Sequence, residues 1–453
     1  MRLFAFQGLR YTARAGDAGR LAAPPYDQID DAARDSLHAA SPYQFAHLTR
    51  PVASAGTGIG GGEADPYRHA AELHRRWLHE GIVARDPEPS LYPYVIDLAG
   101  GGRRLGVMAL VGYAPPSEIR PHEQTIDKPL ADRLALLEAT RVDLEPALLL
   151  AEDGGQLDTL LAADLENLQR DAPSRQLPPL VDYLDDAGNH HLLFRIADPA
   201  RLAVYQEALA ARPAAIADGH HRYKVGQRFA AAHHAGPAGE TTAAGAKLAV
   251  VTSMSSHALT IDPIHRALRQ AIDPAQLAAV KAALAPGGAG RGSGSPVVIG
   301  PFQGASGGEL ARAVAAAPQP ALGVWVSGQQ PEIWRLAASS APAPLVVEIF
   351  QDAVLPALGL AAAAATDGTL AYRSDPGVLY DQVQRGELGT GFWLPPMRPA
   401  DFSAAIAHGE LLPPKSTRFL PKAMSGLVWS DHQSKVSGVG ERPAAAAGAR
   451  TAI

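Results

Sequence analysis

The sequence predicts a mixed α+β fold in which strands and helices interleave without a regular doubly wound order. Short apolar runs of strand length recur along the chain, and segments with apolar residues every three or four positions stand between them. The length of 453 residues exceeds what one small core needs, so we expect several lobes. We divide the chain into an N-terminal lobe at 1–150, a central lobe at 151–272, a C-terminal region at 273–430 and a disordered tail at 431–453.

Composition narrows the classes of protein that this chain can represent. The absence of cysteine excludes disulfides, thiolate metal sites and cysteine nucleophiles. The formal net charge of −6 disfavours nucleic acid as a partner. Because no apolar run approaches roughly 18 residues and the N-terminus lacks the pattern of a signal peptide, we expect a cytoplasmic protein without a membrane partner. The sequence leaves a homo-oligomer open.

The N-terminal lobe begins with a strand-like segment and a proline-stiffened loop. Residues 1–27 end in Ala23-Pro-Pro-Tyr-Asp27, where each proline holds the preceding residue in extended geometry. Asp27 can cap the helix that follows or point into a site, and the sequence alone favours capping. A helix is predicted from about Tyr67 to Glu80, with Gly81 ending it.

Two apolar runs, at 91–98 and 105–111, predict a β-hairpin because three glycines separate them. These glycines, Gly100 to Gly102, resemble a phosphate loop only superficially. Neither a Gly-Lys-Ser/Thr sequence nor a helix follows them, so we reject a P-loop at this position.

A charged segment, residues 120–128, separates the second strand of this hairpin from a helix predicted at 130–140. It contains His122 and Glu123, but Ile126 stands where a metalloprotease helix would carry its second histidine. We select Glu123 as a candidate general base and His122 as a candidate substrate contact. A surface loop without a catalytic role is the alternative.

Three charged residues near the start of the following helix are further candidates. Lys128 and Arg133 could contact a phosphate or clamp a substrate, and Asp132 could bind a metal ion. The same three residues could equally form a solvated helix face with local ion pairs.

The central lobe leads to the segment on which the predicted site depends. Strands are predicted at 146–151 and 190–196, and helices at 157–168 and 199–212. The second of these helices runs directly into Pro213–Tyr223, where an apolar run ends in Asp-Gly-His-His-Arg and a helical pattern follows.

This motif places an acid and a glycine directly before a helix N-terminus. Unpaired amide groups and the helix dipole favour an anion there, and Gly219 permits positive φ or close backbone approach. Arg222 could grip a phosphate, and His220 and His221 could bind a phosphate, a metal ion or a transferring proton. Asp218 could bind Mg²⁺ or orient a histidine. A plain Asp-Gly turn with a helix cap is the alternative.

A second His-Arg pair, His265-Arg266, follows a buried strand predicted at 248–254. We interpret this pair as preceding a helix. It could bring another cation to the same site or serve core packing, and the sequence does not choose between these roles.

The C-terminal region alternates short strands with helices. The predicted strands are 297–299, 322–326, 332–336 and 389–394, and the predicted helices are 345–358, 376–386 and a segment from about residue 399. The lysine loop, residues 412–422, then carries Lys415, Ser416, Thr417 and Lys422 between prolines. Lysines and hydroxyls on a stiffened loop suit phosphate binding, and a solvated loop is the alternative.

Several of these motifs together resemble a known family. They are Ala23-Pro-Pro-Tyr-Asp27, His122-Glu123-Gln-Thr125, Asp218-Gly-His-His-Arg222, Pro263-Ile-His265-Arg266 and Pro414-Lys-Ser-Thr-Arg-Phe-Leu-Pro-Lys422. In this order they resemble a bacterial and archaeal family catalogued as domain of unknown function 1015. The Asp-Gly-His-His-Arg run also resembles the phosphate-binding motif of the ParB/sulfiredoxin superfamily, especially its free-serine kinases.

The resemblance implies a ParB/sulfiredoxin-like core elaborated by further strands and helices. It also implies phosphoryl transfer from ATP or ADP, with Mg²⁺, to a small hydroxylated metabolite, with free L-serine as the leading candidate. Glu123 would take the hydroxyl proton, and Asp218 and His221 would complete the catalytic group. The phosphate- or nucleotide-binding residues would be Gly219, His220, Arg222, Lys415, Ser416, Thr417 and Lys422. The substrate contacts would be Asp27, His122, Lys128, Arg133, His265 and Arg266.

Two other functions stay open at the level of sequence. A ParB-like regulatory module would bind a nucleotide through the same phosphate-binding residues without turnover and without needing Glu123. A metal-dependent phosphohydrolase would use the histidines, although neither His-x-His nor His-Glu-x-x-His spacing is present.

Overall fold

The structure is a computed structural model, and it divides the chain into two compact units. It describes residues 1–53, 65–123, 127–170, 179–233, 242–285, 298–318, 320–336, 345–360, 364, 368–407, 409 and 411–437. The first unit comprises Met1–Pro121, Thr125–Leu259 and Pro421–Ile453, and the second comprises His122–Gln124 and Thr260–Leu420.

Strands and helices interleave along the described residues, as the sequence predicts. The strands are β1 Leu3–Phe6, β2 Leu9–Tyr11, β3 Val83–Arg85, β4 Tyr92–Asp97, β5 Arg103–Gly112, β6 Ile119–Arg120, β7 Val142–Asp143, β8 Ala147–Ala151, β9 Val181–Leu184, β10 His190–Leu193, β11 Ala214–Asp218, β12 Ala246–Ser253, β13 Thr260–Asp262, β14 His265–Leu268, β15 Val298–Pro301, β16 Ala321–Val326, β17 Glu332–Arg335, β18 Leu370–Arg373, β19 Thr390–Trp393, β20 Arg418–Leu420, β21 Ser430–Asp431 and β22 Val436–Ser437. The α-helices are α1 Ala18–Leu21, α2 Asp31–Ala40, α3 Ala46–Thr49, α4 Pro66–His79, α5 Asp127–Thr140, α6 Gln156–Arg170, α7 Pro199–Leu209, α8 His220–His233, α9 Pro274–Ala283, α10 Gly307–Ala315, α11 Val346–Ile349, α12 Leu355–Ala357, α13 Pro376–Gln384 and α14 Pro399–Ala407. A π-helical turn at Phe350–Val354 joins α11 to α12.

The first unit is built on a mixed sheet. In the described part of the chain its main path runs β6-β11-β8-β12-β5-β4-β10-β9, with β1 added beside β5 and β22 beside β1. β12 pairs in parallel with β8 and antiparallel with β5. All eight residues of β12 are buried, because strands pair on both of its edges and side chains cover both of its faces. This central strand is the apolar run that the sequence predicts at 248–254.

The sheet of the first unit brings β11 beside β8. The two strands pair antiparallel, with Ala215 opposite Leu150. Four of the five residues of β11 are buried, and Asp218, the last of them, is half-buried where the strand gives way to α8. The apolar side chains of the strand therefore anchor the end that carries the polar motif.

The second unit contains an antiparallel sheet with apolar side chains packed on both faces. Its strand order among the described residues is β15-β17-β16-β19-β14-β18. Along β16, Leu322 and Val324 pack with one buried cluster and Trp325 with the other, because successive side chains of a strand point to opposite faces. Phe350 of the π-helical turn belongs to the first cluster and Leu310 of α10 to the second.

The mixed α+β class is confirmed, and the lobe boundaries stay predictions. The boundary predicted after residue 150 falls inside β8, and the one after 272 falls inside the second unit. The tail predicted from residue 431 starts too early, because Phe6 pairs with Val436 and extends the sheet. Residues 438–453 lie outside the described residues. Among the described residues, no helix is both long enough and apolar enough to cross a membrane.

Candidate functional site

The turn between β11 and α8 has the geometry that its sequence predicts. Asp218 ends β11, Gly219 has a φ of +86°, and α8 begins at His220. A Cβ atom on Gly219 would lie 3.1 Å from the Arg222 guanidinium and 3.2 Å from the backbone of Ala147. Both the backbone conformation and the close packing therefore require glycine at this position.

An acid–lysine cluster, formed by Asp27, Asp218 and Lys422, lies at this turn. The Lys422 ammonium is 2.9 Å from Oδ1 of Asp218 and 3.3 Å from both carboxylate oxygens of Asp27. The Lys422 side chain is 14% exposed, whereas that of Asp27 is 44% exposed. The first unit thus brings together one residue from each of three motifs that are far apart in sequence.

The carboxylate of Asp218 is held in its charged form. Burial by itself would raise the pKa of Asp218, but the charges of Arg222 and Lys422 outweigh burial and lower the pKa to about 2. Asp218 is therefore ionised at neutral pH, and it anchors Lys422 rather than exchanging protons.

Arg222 serves the protein framework in this structure. Its guanidinium donates one hydrogen bond to the carbonyl oxygen of Pro146 and another to the carboxylate of Asp218. Only 5% of the side chain is exposed. Two donors of the guanidinium are thus engaged by protein groups, so Arg222 fixes the shape of the turn.

The segments that carry Asp27 and Lys422 are paired with each other. Ala23 and Ser425 form an antiparallel bridge, in which each amide donates to the other residue's carbonyl oxygen at 3.0 and 2.8 Å. The Arg104 guanidinium donates to the carbonyl oxygen of Pro421. These contacts hold the segment that carries Lys422 in register with the Asp27 motif.

Glu123 lies in the second unit, where it contacts the lysine loop. Its Oε1 atom accepts a hydrogen bond of 3.1 Å from the backbone amide of Lys415, which has an unusual φ of +60°. The neighbouring His122 places Nε2 2.8 Å from the hydroxyl of Thr417. The predicted base and the predicted lysine loop therefore meet, and Glu123 helps to hold the loop in its strained conformation.

Arg266 also supports this loop. It donates to the carbonyl oxygens of Lys415 at 2.8 Å and Pro414 at 3.3 Å, and only 2% of the residue is exposed. Burial lowers the pKa of Arg266 to about 10. The Ser416 hydroxyl donates to the carbonyl oxygen of Pro413, which closes the turn from within.

The His265-Arg266 pair lies on β14 and not before a helix, so that interpretation was wrong. Nδ1 of His265 accepts the amide of Leu394 at 3.2 Å in the interior of the second unit. Burial lowers the pKa of His265 to about 4, which keeps the ring neutral. The structure favours core packing for His265 over the alternative of a substrate contact.

Arg133 likewise contacts neighbouring groups of the first unit. It donates to the carbonyl oxygen of Thr49 at 2.7 Å and forms an ion pair of 2.6 Å with Asp132. Its guanidinium stacks over the Tyr26 ring at 4.3 Å. Arg133 therefore supports the residue before Asp27. The side chain of Lys128 lies outside the described residues, and His220 and His221 occupy the first turn of α8.

Sequence reasoning missed a group of buried charges behind the acid–lysine cluster. Lys247 of β12 pairs with Asp143, and Glu145 is only 5% exposed. These residues, together with Arg133 and Arg222, line a small cavity of about 40 Å³. The signal was present in the sequence, because a lysine inside a continuous apolar strand needs a buried partner.

The residues predicted to hold Mg²⁺ do not fit that role as they are arranged. Asp218 directs Oδ2 at Arg222 and Oδ1 at Lys422, so both of its oxygens already face cations. Within the described ranges, no group of three or more histidine and acidic side chains is arranged to hold a metal ion. We therefore derive no step that passes through Mg²⁺.

Comparison with protein families places the chain among known sequences. A family model described as protein of unknown function (DUF1015) matches residues 3–295. The chain belongs to this family. The part of this DUF1015 protein that matches includes Asp27, Glu123 and Asp218, and it ends before the lysine loop. No curated protein matches the sequence significantly.

Solved structures resemble the DUF1015 protein only distantly. A conserved hypothetical protein from Pyrococcus furiosus is 12% identical, with a TM-score of 0.35, over 69% of this chain and 90% of that chain. A free serine kinase in complex with AMP is 13% identical, with a TM-score of 0.35, over 68% and 88%. SbnI with a C-terminal truncation, from Staphylococcus aureus, is 13% identical, with a TM-score of 0.34, over 69% and 82%.

Proposed function

We propose that this protein transfers a phosphoryl group from ATP or ADP to a small hydroxylated metabolite, with free L-serine as the leading acceptor. The observation that carries the proposal is the acid–lysine cluster at the N-terminus of α8. Phosphoryl transfer depends mainly on positioned cations and on helix N-termini that face the phosphates. Lys422 supplies such a cation, and two carboxylates hold its ammonium in place before any ligand arrives.

In this proposal the described residues divide the chemistry between them. Lys422 offsets the negative charge of the transferring phosphoryl group, and Asp218 fixes the position of Lys422. His220 and His221, on the first turn of α8, contact the phosphates. Glu123 accepts the proton of the attacking hydroxyl. The family resemblance further assigns nucleotide contacts to Lys415 and Thr417, which belong to the second unit.

A nucleotide-binding regulatory module is the second candidate, and one contact favours it. Glu123 accepts the amide of Lys415, so this carboxylate has a structural duty that does not require catalysis. A module of this kind would bind ATP or ADP without forming a phosphorylated product.

Product formation separates the two candidates. The full chain is incubated with MgATP or MgADP and with L-serine or a pool of small alcohols, and phosphorus NMR and mass spectrometry detect any phosphomonoester. Glu123→Gln keeps an oxygen that can accept the Lys415 amide but removes the base, whereas Glu123→Ala removes both. Glu332→Gln is the matched control, since Glu332 also accepts a hydrogen bond, from Trp334.

We expect phosphoserine from the unmodified protein and from Glu332→Gln, and at least a hundredfold loss in both Glu123 variants. Product from Glu123→Gln but not from Glu123→Ala would limit Glu123 to holding the loop. If no product forms with any acceptor while His221→Ala abolishes nucleotide binding, the regulatory module is correct and the kinase proposal is wrong.

A further inference from the structure

Glu145 is a buried carboxylate that takes no part in the proposed transfer. It follows β7 and precedes β8, and only 5% of the residue is exposed. Burial raises the pKa of Glu145, while the charges of Arg222 and Arg133 oppose that shift. A buried carboxylate is costly unless hydrogen bonds and charges compensate it, so its contacts indicate what it does.

One oxygen of Glu145 joins the two segments of the acid–lysine cluster. Oε1 accepts the backbone amide of Tyr26 at 2.8 Å and the hydroxyl of Ser425 at 3.3 Å. Tyr26 immediately precedes Asp27, and Ser425 follows Lys422 within the same short segment. A single acceptor atom therefore fixes the residue before Asp27 and the residue three positions after Lys422.

The position of Glu145 is itself fixed by neighbouring cations. Lys247 donates to the backbone carbonyl oxygen of Glu145 at 2.8 Å. Arg133 places Nη1 4.0 Å from Oε2, and the same guanidinium stacks on the Tyr26 ring. The buried charges behind the cluster thus hold Glu145, which in turn holds the two segments.

We propose that Glu145 is a positioning residue that sets the separation of Asp27 and Lys422 through the Tyr26 amide and the Ser425 hydroxyl. The proposal concerns the site of the proposed function and therefore rests on it for its biological meaning. Its geometry can be tested without turnover. Glu145 does not contact the reacting groups in this proposal, because its hydrogen bonds point to backbone and hydroxyl groups of the protein.

The test uses two variants of the full chain with a matched control. Glu145→Leu removes both hydrogen bonds, whereas Glu145→Gln keeps an oxygen that can accept them. Asp164→Asn is the control, since Asp164 is a buried carboxylate of the first unit that holds Arg201 and Tyr205. The control reports what the loss of any buried carboxylate does to the whole unit.

Two measurements report on the positions of the segments. Hydrogen exchange with mass spectrometry follows the peptide that contains the Tyr26 amide. The rate of acetylation of Lys422 by acetic anhydride, relative to that of the exposed Lys435, follows the release of its ammonium from Asp27 and Asp218. We expect both rates to rise about tenfold in Glu145→Leu, equal to about 1.4 kcal/mol, and to stay near those of the unmodified protein in Glu145→Gln.

Three outcomes would overturn the proposal. The first is a Lys422 rate in Glu145→Leu that equals the rate in the unmodified protein. The second is an equal rise in Asp164→Asn, which would indicate general destabilisation. The third is a Glu145→Gln protein as reactive as Glu145→Leu, which would show that charge and not hydrogen bonding positions the segments. Because acetylation needs no turnover, these results stand whether or not phosphoserine forms.

Turnover adds a further measurement if the proposed kinase activity is found. Misplacing Asp27 and Lys422 should lower kcat in Glu145→Leu more than it raises KM for the nucleotide, since positioning acts in the transition state. Glu145→Gln should recover most of kcat. An equal loss of kcat in both variants would contradict the positioning role.

Discussion

The ammonium of Lys422 lies 2.9 Å from a carboxylate oxygen of Asp218, so the C-terminal part of the chain completes the turn at the start of α8. Lys422 also contacts Asp27, and Arg222 pairs with the other carboxylate oxygen of Asp218. The formal charges of these two cations and two carboxylates thus sum to zero. This cluster fixes the Lys422 ammonium at the N-terminus of α8, where backbone amides and the helix dipole favour an anion.

Replacing this lysine should weaken nucleotide binding. We expect Lys422→Met to lose about 1.5–3 kcal/mol of affinity for ATP or ADP, because a charge-assisted contact to a phosphate disappears. Isothermal titration calorimetry measures the dissociation constant, and Lys435→Met is the control because Lys435 is exposed. Equal affinities for Lys422→Met and the unmodified protein would contradict a phosphate contact by Lys422.

Asp218 should make the unfolding free energy depend on pH in the acidic range. Its pKa is about 2 in the folded protein, against an ordinary value of 3.8, so folding favours the ionised carboxylate. This contribution is present above about pH 4 and is lost as the pH falls toward 2, because the unfolded chain then binds the proton first. We expect about 2 kcal/mol of the unfolding free energy to be lost in this window.

Denaturant titrations across this pH range test the effect of Asp218. The Asp218→Asn variant lacks the carboxylate, so its unfolding free energy should fall less steeply between pH 4 and pH 2. Parallel curves for the two proteins would show that Asp218 is not held at a lowered pKa.

The turn at Gly219 should not tolerate a side chain. Gly219→Ala puts a Cβ at a φ of +86° and within 3.2 Å of the backbone of Ala147. We expect it to destabilise the protein by about 1–3 kcal/mol and to weaken nucleotide binding, since the turn must move. Gly101→Ala is the control, because Gly101 has a φ of +90° but no neighbour within 4 Å of the added Cβ.

Chemical denaturation measures the cost of the strained backbone in both glycine variants, and nucleotide titration measures whether the turn at Gly219 belongs to the binding site. Both glycine variants should lose stability, but only Gly219→Ala should lose nucleotide affinity. A Gly219→Ala protein with unchanged affinity would remove this turn from the binding site.

The contributions of buried Lys247 and Asp143 to the unfolding free energy should be coupled. Lys247→Met alone leaves Asp143 buried without its cation, and we expect a loss of about 3–5 kcal/mol in unfolding free energy. Adding Asp143→Asn removes the stranded charge and keeps an oxygen for the amide of Leu248, so the double variant should recover part of that loss. A double-mutant cycle by denaturant unfolding measures the coupling, and additive losses would contradict it.

Local patterns in the sequence predicted much of the secondary structure. The hairpin of β4 and β5, the buried strand β12 and the turn between β11 and α8 all stand where their patterns place them. These features depend on the alternation of apolar and polar residues, on the placement of glycines and on the helical spacing of apolar residues, all within short segments. The partners of charged side chains were not predictable in this way, and Arg133 and Arg222 both turned inward to protein groups.

The sequence by itself determined the fold class, the family resemblance and the identity of the motifs. Only the tertiary structure decided that Asp27 and Asp218 share Lys422, that Glu123 holds the amide of Lys415, and that His265 packs inside the second unit. The physical reason is the distance along the sequence between the residues that interact. Helices, strands and turns follow from neighbouring residues, whereas ion pairs and buried hydrogen bonds join residues that only the packed sheets bring together.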